Sequence, residues 1–320
     1  MQLEPSTILI VIVILYCLTW CLALYKAEIA HKSHPPLGDI VNIDGKIAHV
    51  LIEGTGEDLV LIHGSSGNIR DFTLSIAPRL AKDFRVIMID RPGLGYSKSF
   101  KKSGETLKEQ AIFMYQVAKK FGANKPIVLG HSLGGAVALA WAVYLPNNIS
   151  GLLSLSAVSN RWPGETSAFY KINKNFILNK FSVPIISAFA PKRKIESDVK
   201  EVFNPQEVPS NFLKEFGVEL TLRPKTIIAN AKHRNQLKEQ IIQQSEFYSN
   251  ILVPTIIMHG TEDELVPISV HAIPLAKQIP NSKFIKLPGI GHMPHHCRQN
   301  DIVDALNQIK RQASNIRNEK

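Results

Sequence analysis

Cysteine is scarce in this sequence of 320 residues. Cys17 and Cys21 lie inside one apolar segment, and Cys297 stands alone near the other end of the chain. Two thiols in an apolar segment and one distant thiol do not make a disulfide framework. The folded part of the chain therefore needs no oxidising compartment.

Clustered charge is also missing, although the chain is basic. Its 37 lysines and arginines exceed its 27 acidic residues, which gives a net charge of +10. The basic residues are scattered, and no basic run is interleaved with aromatic residues as nucleic-acid binding requires. We therefore expect no nucleic-acid partner, and an anionic membrane surface is the partner that the positive charge favours.

Long apolar runs occur once, near the N-terminus. Residues 5–25 carry no charge, and Ile8–Leu15 is purely aliphatic. A helix of about 20 apolar residues is long enough to cross a bilayer. A cleaved signal peptide is the alternative, but Glu4 is the only charge before the run, where a signal peptide has basic residues. We expect residues 1–36 to be an uncleaved single-pass anchor with a short linker.

The orientation of that anchor depends on two lysines. Lys26 and Lys32 follow the apolar run, and no lysine or arginine precedes it. The positive-inside rule then places the rest of the chain on the cytoplasmic side of the membrane.

Beyond residue 36, short apolar runs alternate with helical stretches. Asp44-Gly45 lies between Val41–Ile43 and Ile47–Glu53, which is typical of a hairpin. The later runs have no internal alternation and predict buried parallel strands, with helices on both faces of a mostly parallel sheet. These runs are residues 59–62, 86–89, 127–129, 152–155, 255–258 and 284–287.

The alternation stops between residues 161 and 250. This stretch has helical pieces, scattered prolines and no convincing strand. We interpret it as an inserted helical cap between two parts of one core domain, residues 37–160 and 251–320. A final helix should begin near Asp301 and give way to a frayed polar tail.

The first chemical motif is Gly130-His131-Ser132-Leu133-Gly134, which follows a predicted strand and opens a predicted helix. A serine on such a sharp turn presents its hydroxyl freely, because the flanking glycines let neighbouring backbone approach. The helix N-terminus adds N–H groups beside the hydroxyl. We therefore expect Ser132 to be a nucleophile.

A second loop, His63-Gly64-Ser65-Ser66-Gly67, also follows a strand. Its small residues let backbone N–H groups turn inward, so the N–H groups of Ser65 and Leu133 are the expected donors to an oxyanion. His63 is expected to make hydrogen bonds within the loop and not to act as a base.

Two later strand ends supply an acid and a base. Three acids, Glu262, Asp263 and Glu264, follow the strand at 255–258, and any one could orient an imidazole. His292 follows two glycines after the last strand and is the expected general base. A zinc site made of His292, His295, His296 and Cys297 is an alternative, but four ligands in six residues rarely close a tetrahedron, so we expect no metal and no cofactor.

Together these motifs resemble the α/β-hydrolase superfamily over about residues 40–315. The matching segments are His63-Gly64, residues 90–97, residues 130–135, Val253-Pro254, residues 259–267 and Gly291-His292-Met293. The resemblance implies an acid three residues before a Val-Pro pair, which selects Asp263, and a helical lid over residues 161–250. Members that use an aspartate nucleophile do not fit Ser132. An N-terminal apolar helix ahead of the domain resembles the membrane-anchored monoacylglycerol lipase type.

The expected function is that of a serine hydrolase, an esterase or lipase that cleaves small-molecule or lipid carboxylic esters with Ser132, His292 and Asp263. Cleavage of carbon–carbon bonds, perhydrolysis, and an inactive binding protein are the alternatives. An apolar acyl pocket is expected in the cap, and the alternative is that the same aromatic residues form only the core of the cap. These candidate residues are Phe169, Phe176, Phe181, Phe189 and Phe212.

Overall fold

The computed structural model describes residues 4–100 and 105–318. Within them the chain forms one eight-stranded sheet with α-helices on both faces. The strands are β1 Asp39–Ile43, β2 Lys46–Glu53, β3 Glu57–Ile62, β4 Phe84–Ile89, β5 Ile127–His131, β6 Gly151–Leu155, β7 Thr255–Gly260 and β8 Lys283–Leu287. Five α-helices of the described residues precede β6: α1 Pro5–Ser33, α2 Arg70–Thr73, α3 Ala77–Leu80, α4 Leu107–Lys120 and α5 Leu133–Tyr144.

Six further helices lie between β6 and β7, and three follow β7. The six are α6 Ala168–Lys174, α7 Asn179–Phe189, α8 Lys192–Phe203, α9 Phe212–Phe216, α10 Val218–Thr221 and α11 Pro224–Ser245. The three are α12 Ala272–Gln278, α13 Pro294–Cys297 and α14 Gln299–Asn318. We call α6–α11 the cap helices, while the domain boundaries at residues 160 and 250 stay a prediction.

The strand order is β1-β2-β4-β3-β5-β6-β7-β8. β1 and β2 form the predicted hairpin, with Asp44 and Gly45 both at positive φ. β2 pairs antiparallel with β4, and every later pairing is parallel. The carboxyl ends of the parallel strands therefore meet at one edge, where a ligand site is expected in such sheets.

The two faces of the sheet bury separate halves of the core. Val60 and Ile62 on β3 pack with α4 and α5 on one face, whereas Leu59 and Leu61 pack with α2, α3 and α14 on the other. Side chains that alternate between two covered faces leave a strand with no polar side, which is why β3 reads as an unbroken apolar run.

Two helical predictions differ from the structure. Residues 72–80 have the apolar spacing of one helix in the sequence, but they form two short helices, α2 and α3, because Pro78 lies in the first turn of α3 and cannot continue α2. The tail predicted to fray is helical as far as Asn318. Ala313 in this stretch is buried against the core, and that burial stabilises the last turns.

Helix α1 contains 29 residues, and its uncharged part from Pro5 to Tyr25 is apolar on every side. It is long and apolar enough to cross a membrane, although a signal sequence would pass the same test. Residues 4–15 are exposed, and contact with the cap begins at Tyr16. The Tyr16 hydroxyl donates to the Lys180 carbonyl at 3.2 Å, and Lys26 Nζ donates to the Ala188 carbonyl at 2.6 Å. Helix α1 thus runs beside α7.

Candidate active site

Ser132 lies on the turn between β5 and α5, with φ of 54° and ψ of −121°. A serine at positive φ is strained, and the surroundings hold it there: its N–H donates to the Leu155 carbonyl at 3.1 Å, and its carbonyl accepts from the Gly135 N–H at 2.9 Å. A Cβ on Gly134 would lie 2.1 Å from the Ile62 carbonyl oxygen. The tight strand-to-helix turn therefore requires glycine beside Ser132.

His292 connects Ser132 to Asp263. Its Nε2 accepts from Ser132 Oγ at 2.9 Å, and its Nδ1–H donates to Asp263 Oδ2 at 2.8 Å. All three side chains are buried. The structure thus brings together three predicted residues that are 131 and 29 positions apart in the chain, since each one follows a different parallel strand.

Asp263 is held as a carboxylate in the loop after β7. Its Oδ1 accepts from the N–H groups of Val266 at 2.8 Å and Leu265 at 3.1 Å. Burial would raise the pKa of Asp263, but the adjacent His292 and a hydrogen bond from His259 outweigh burial and hold the pKa well below its usual value. Asp263 is therefore ionised at neutral pH and can stabilise a protonated imidazole.

His259 also contacts the acid, and this contact was not predicted from the sequence. Its Nε2 lies 2.6 Å from the Val266 carbonyl and 3.2 Å from Asp263 Oδ2. Its position at the end of β7, four residues before Asp263, could have indicated that it lies near the acid. His259 and the two N–H groups fix the direction of the carboxylate.

The loop after β3 lies against Ser132. A Cβ on Gly64 would be 3.2 Å from Cβ of Ser132, so this loop borders the nucleophile candidate as predicted. Leu133 is the first residue of α5. The oxyanion role of the Ser65 and Leu133 N–H groups stays a prediction, and their position beside Ser132 is what that role requires.

His63 keeps this loop closed and takes no part in the contacts around Ser132 Oγ. Its Nδ1–H donates to the Gly64 carbonyl at 3.0 Å, and its Nε2 accepts from the Arg91 N–H at 2.9 Å. Burial lowers the pKa of His63 to about 4, with the Arg91 charge adding to the effect. The imidazole is therefore neutral, in the tautomer that these two bonds require.

Asn230 of α11 ties a cap helix to the same loop. Its Oδ1 accepts from the Ser66 N–H at 3.0 Å and the Ser65 hydroxyl at 2.9 Å, and its Nδ2 donates to Ser66 Oγ at 2.9 Å. The sequence held no signal for this residue, since an asparagine in a polar helix is usually exposed.

A buried group of histidines lies behind His292. His131 Nε2 donates to the His292 carbonyl at 2.8 Å, and Asp71 binds His296 at 2.9 Å and His295 at 3.1 Å. Burial would raise the pKa of Asp71, but these two histidines outweigh it and hold the pKa well below normal.

This group also bears on the zinc alternative. Cys297 Sγ donates to the Met293 carbonyl at 3.7 Å. In the described part of the chain, Asp71, His131 and His295 form a group of three whose ligand atoms lie within 4.8 Å of one another. This group shares only His295 with the predicted zinc ligands. Asp71 and His131 are already engaged by His296 and the His292 carbonyl. The contacts therefore fit a hydrogen-bonded support for the His292 loop.

The cap aromatics do not form the predicted pocket. Phe169, Phe176, Phe181 and Phe189 are 47%, 74%, 57% and 57% exposed on the outside of α6, α7 and the turn between them. Phe212 is buried, but it packs with Phe203 and Phe216 in a separate cluster of the cap. The prediction that these five residues line one acyl pocket is wrong, because a stripe of aromatics in the sequence does not reveal which side of a helix faces inward.

The chain is similar in sequence and fold to several known proteins. The sequence profile of the family described as alpha/beta hydrolase fold matches residues 59–297. A pimeloyl-acyl-carrier-protein methyl ester esterase of Proteus mirabilis is 28% identical over 260 residues, which cover 78% of this chain and 90% of that protein. Lipase 3 of a Moraxella species is 26% identical over 250 residues, which cover 75% of this chain and 73% of that protein.

A solved structure of a meta-cleavage product hydrolase from Pseudomonas fluorescens has a TM-score of 0.69 at 18% identity, covering 85% of this chain and 98% of that chain. A likeness at this identity concerns the fold alone. The family match covers more than half of the chain, so the protein belongs to the α/β-hydrolase family. The predicted fold class is thereby confirmed, and the esterase and lipase relatives agree with the predicted class of enzyme.

Proposed function

We propose that the protein is a serine esterase or lipase that hydrolyses carboxylic esters through Ser132, His292 and Asp263. The observation that carries the proposal is the continuous chain of hydrogen bonds from Ser132 Oγ through His292 to Asp263, at 2.9 and 2.8 Å. Nucleophile, base and orienting acid in this geometry are what acyl transfer requires.

The reaction follows from the direction of these bonds. Ser132 Oγ attacks the ester carbonyl carbon as its proton passes to His292 Nε2, and Asp263 stabilises the imidazolium. The N–H groups of Ser65 and Leu133 stabilise the oxyanion, each by about 3 kcal/mol. His292 then returns the proton to the leaving alcohol, and an acyl-Ser132 remains. Water deprotonated by His292 attacks this acyl group and releases the acid and free Ser132.

The relatives support esters as the substrate class, because two of them are named as a methyl ester esterase and a lipase. Small-molecule and lipid esters are both within this proposal. No contact among residues 4–100 and 105–318 favours carbon–carbon cleavage over ester cleavage.

The replacement Ser132→Ala tests the proposal. We expect hydrolysis of a short-chain nitrophenyl ester to fall by roughly three to six orders of magnitude, because the nucleophile is removed. Covalent labelling by a fluorophosphonate probe should disappear. Ser154→Ala, at a buried serine on β6 outside the hydrogen-bond chain, is the matched control and should keep both properties. Hydrolysis by Ser132→Ala near the wild-type rate would overturn the assignment.

We also propose that α1 anchors the protein in a membrane, with the rest of the chain on the cytoplasmic side. The support is its uncharged stretch from Pro5 to Tyr25 and the exposure of its first half. The protein should stay with membranes after alkaline carbonate washing, and protease added outside intact cells should leave residues 37–318 uncut. Release by carbonate argues against the anchor, and cleavage from outside argues against this orientation.

A further inference from the structure

The outer surface of helices α6 and α7 and of the turn between them is apolar, although it faces away from the protein. Its large side chains are between 39% and 74% exposed. We call these eight residues the cap face: Phe169, Ile172, Phe176, Ile177, Leu178, Phe181, Ile185 and Phe189. Water-soluble proteins rarely expose so many large apolar side chains in one short segment.

Helix α7 is apolar on two opposite sides. Val183 and Ala188 are buried in the cap. Phe181, Ile185 and Phe189 recur at intervals of four, so they form one stripe on the exposed side, and Ile177 lies in the turn just before the helix. A surface helix of a soluble domain has a polar outer side. The exposed stripe therefore calls for an apolar environment outside the protein.

The charges on this segment are all of one sign. Residues 168–189 contain Lys171, Lys174 and Lys180 and no acidic residue, although Lys171 is paired with Glu165 just before the segment. Lys180 Nζ lies 4.4 Å from the ring centre of Phe176, so cation and aromatic ring share the same surface. Apolar side chains interleaved with lysines fit a boundary between acyl chains and anionic headgroups.

The cap face is continuous with helix α1. The rings of Tyr16 and Phe181 are 5.7 Å apart, and the free part of α1 before Tyr16 is Pro5–Leu15. Eleven helical residues extend about 16 Å, whereas a hydrocarbon core is about 30 Å thick. Pro5–Leu15 can therefore span about half of the hydrocarbon core. If α1 inserts more deeply than that, the residues after Leu15 also enter the bilayer, and α7, which lies beside them, then contacts lipid.

We propose that the cap face docks on the membrane that holds α1, with its apolar side chains at the headgroup boundary and its lysines beside anionic phosphates. The inference rests on the proposed membrane attachment through α1. It assigns the outer side of the cap to lipid, so the cap helices over Ser132 lie next to the bilayer.

Fluorescence of a label on the full chain tests the proposal. Cys17, Cys21 and Cys297 are replaced by serine, and one cysteine carrying a nitrobenzoxadiazole dye is placed by Ile177→Cys, Ile10→Cys or Lys125→Cys. Lys125 precedes β5 at the end of the sheet opposite the cap helices and is exposed. The proteins are reconstituted in phosphatidylcholine–phosphatidylglycerol vesicles with or without doxyl-labelled lipid.

We expect blue-shifted emission and quenching by doxyl lipid at positions 177 and 10, and neither at 125. Quenching at 10 with none at 177 would overturn docking of the cap face while leaving the anchor intact. Quenching at neither position would overturn both. A blue shift at 177 without quenching would indicate a protein contact and also overturn the proposal.

A second measurement separates docking from catalysis. The double replacement Ile177→Ser and Phe181→Ser should reduce hydrolysis of a lipid ester in vesicles by about tenfold, because two apolar side chains no longer enter the boundary. Hydrolysis of a soluble nitrophenyl ester should be unchanged. Equal rates with wild type on both substrates would overturn docking. Absence of soluble-ester hydrolysis in the wild-type protein would instead contradict the proposed function.

Discussion

At the scale of single residues, burial distinguishes Asp263 from the acids on either side of it. Glu262 and Glu264 are exposed, whereas Asp263 is buried with both carboxylate oxygens hydrogen-bonded. An exposed carboxylate is screened by water and cannot fix an imidazole, whereas a buried one can. One acid of the three is therefore placed to orient His292.

The replacement Asp263→Asn should lower turnover of an ester by about 10⁴-fold, because the amide disturbs the tautomer of His292 and no longer stabilises its protonated form. Steady-state kinetics of the purified variant provide the measurement. Glu262→Gln and Glu264→Gln are the controls and should hydrolyse the same ester at wild-type rates. Comparable losses in all three variants would mean that the acid has been misassigned.

At the scale of elements, the long cap helix α11 supports the loop beside Ser132. Asn230 provides the side chain for that support. This contact crosses from a cap helix to the core over 164 positions in sequence. The conformation of the loop therefore depends on how α11 is seated.

Asn230→Ala should lower kcat by roughly ten- to hundredfold, because the loop that carries the Ser65 N–H loses its support and misplacement of about 1 Å is costly. Kinetics with a soluble nitrophenyl ester, together with the melting temperature, check this. Asn235→Ala is the matched control on α11, since Asn235 donates to the Tyr170 and Ala231 carbonyls within the cap. If both variants lose kcat equally, the effect is general loosening of the cap.

Elements differed in how far the sequence could predict them. Ser132, Asp263 and His292 each follow a parallel strand, so topology alone brings them to one edge of the sheet. Asn230 could not be predicted, since its partners are set by the packing of α11. The prediction for the cap aromatics failed for a related reason, because the apolar residues of a helix look the same in sequence whether they face a core or the outside.

At the scale of the whole molecule, buried neutral histidines connect the fold to pH. The pKa of His271 is lowered to about 4 by burial, as is that of His63. His271 Nδ1 accepts from the N–H groups of Ser159 and Asn160, both at 3.2 Å, so protonation at this atom would break both bonds.

We expect the free energy of unfolding to fall as pH is lowered from 7 to 5. The folded imidazoles bind fewer protons than the unfolded ones between pH 6.5 and about 4, so their stabilisation is complete above pH 6.5 and is lost through this window. At pH 5 the loss is about 2 kcal/mol for each imidazole. Urea denaturation at the two pH values measures it, and His271→Gln should reduce the difference. Equal unfolding free energies at pH 7 and 5 would refute this expectation.

The pairing of α1 with α7 also bears on how the protein can be produced. Deleting residues 1–33 to obtain a soluble enzyme would remove Tyr16 and Lys26 from the side of α7 and expose the surface of α7 that α1 contacts, next to the apolar stripe. Such a shortened chain would be prone to self-association through its cap. A shortened chain for crystallisation should therefore also carry polar residues in place of the exposed apolar stripe of α7.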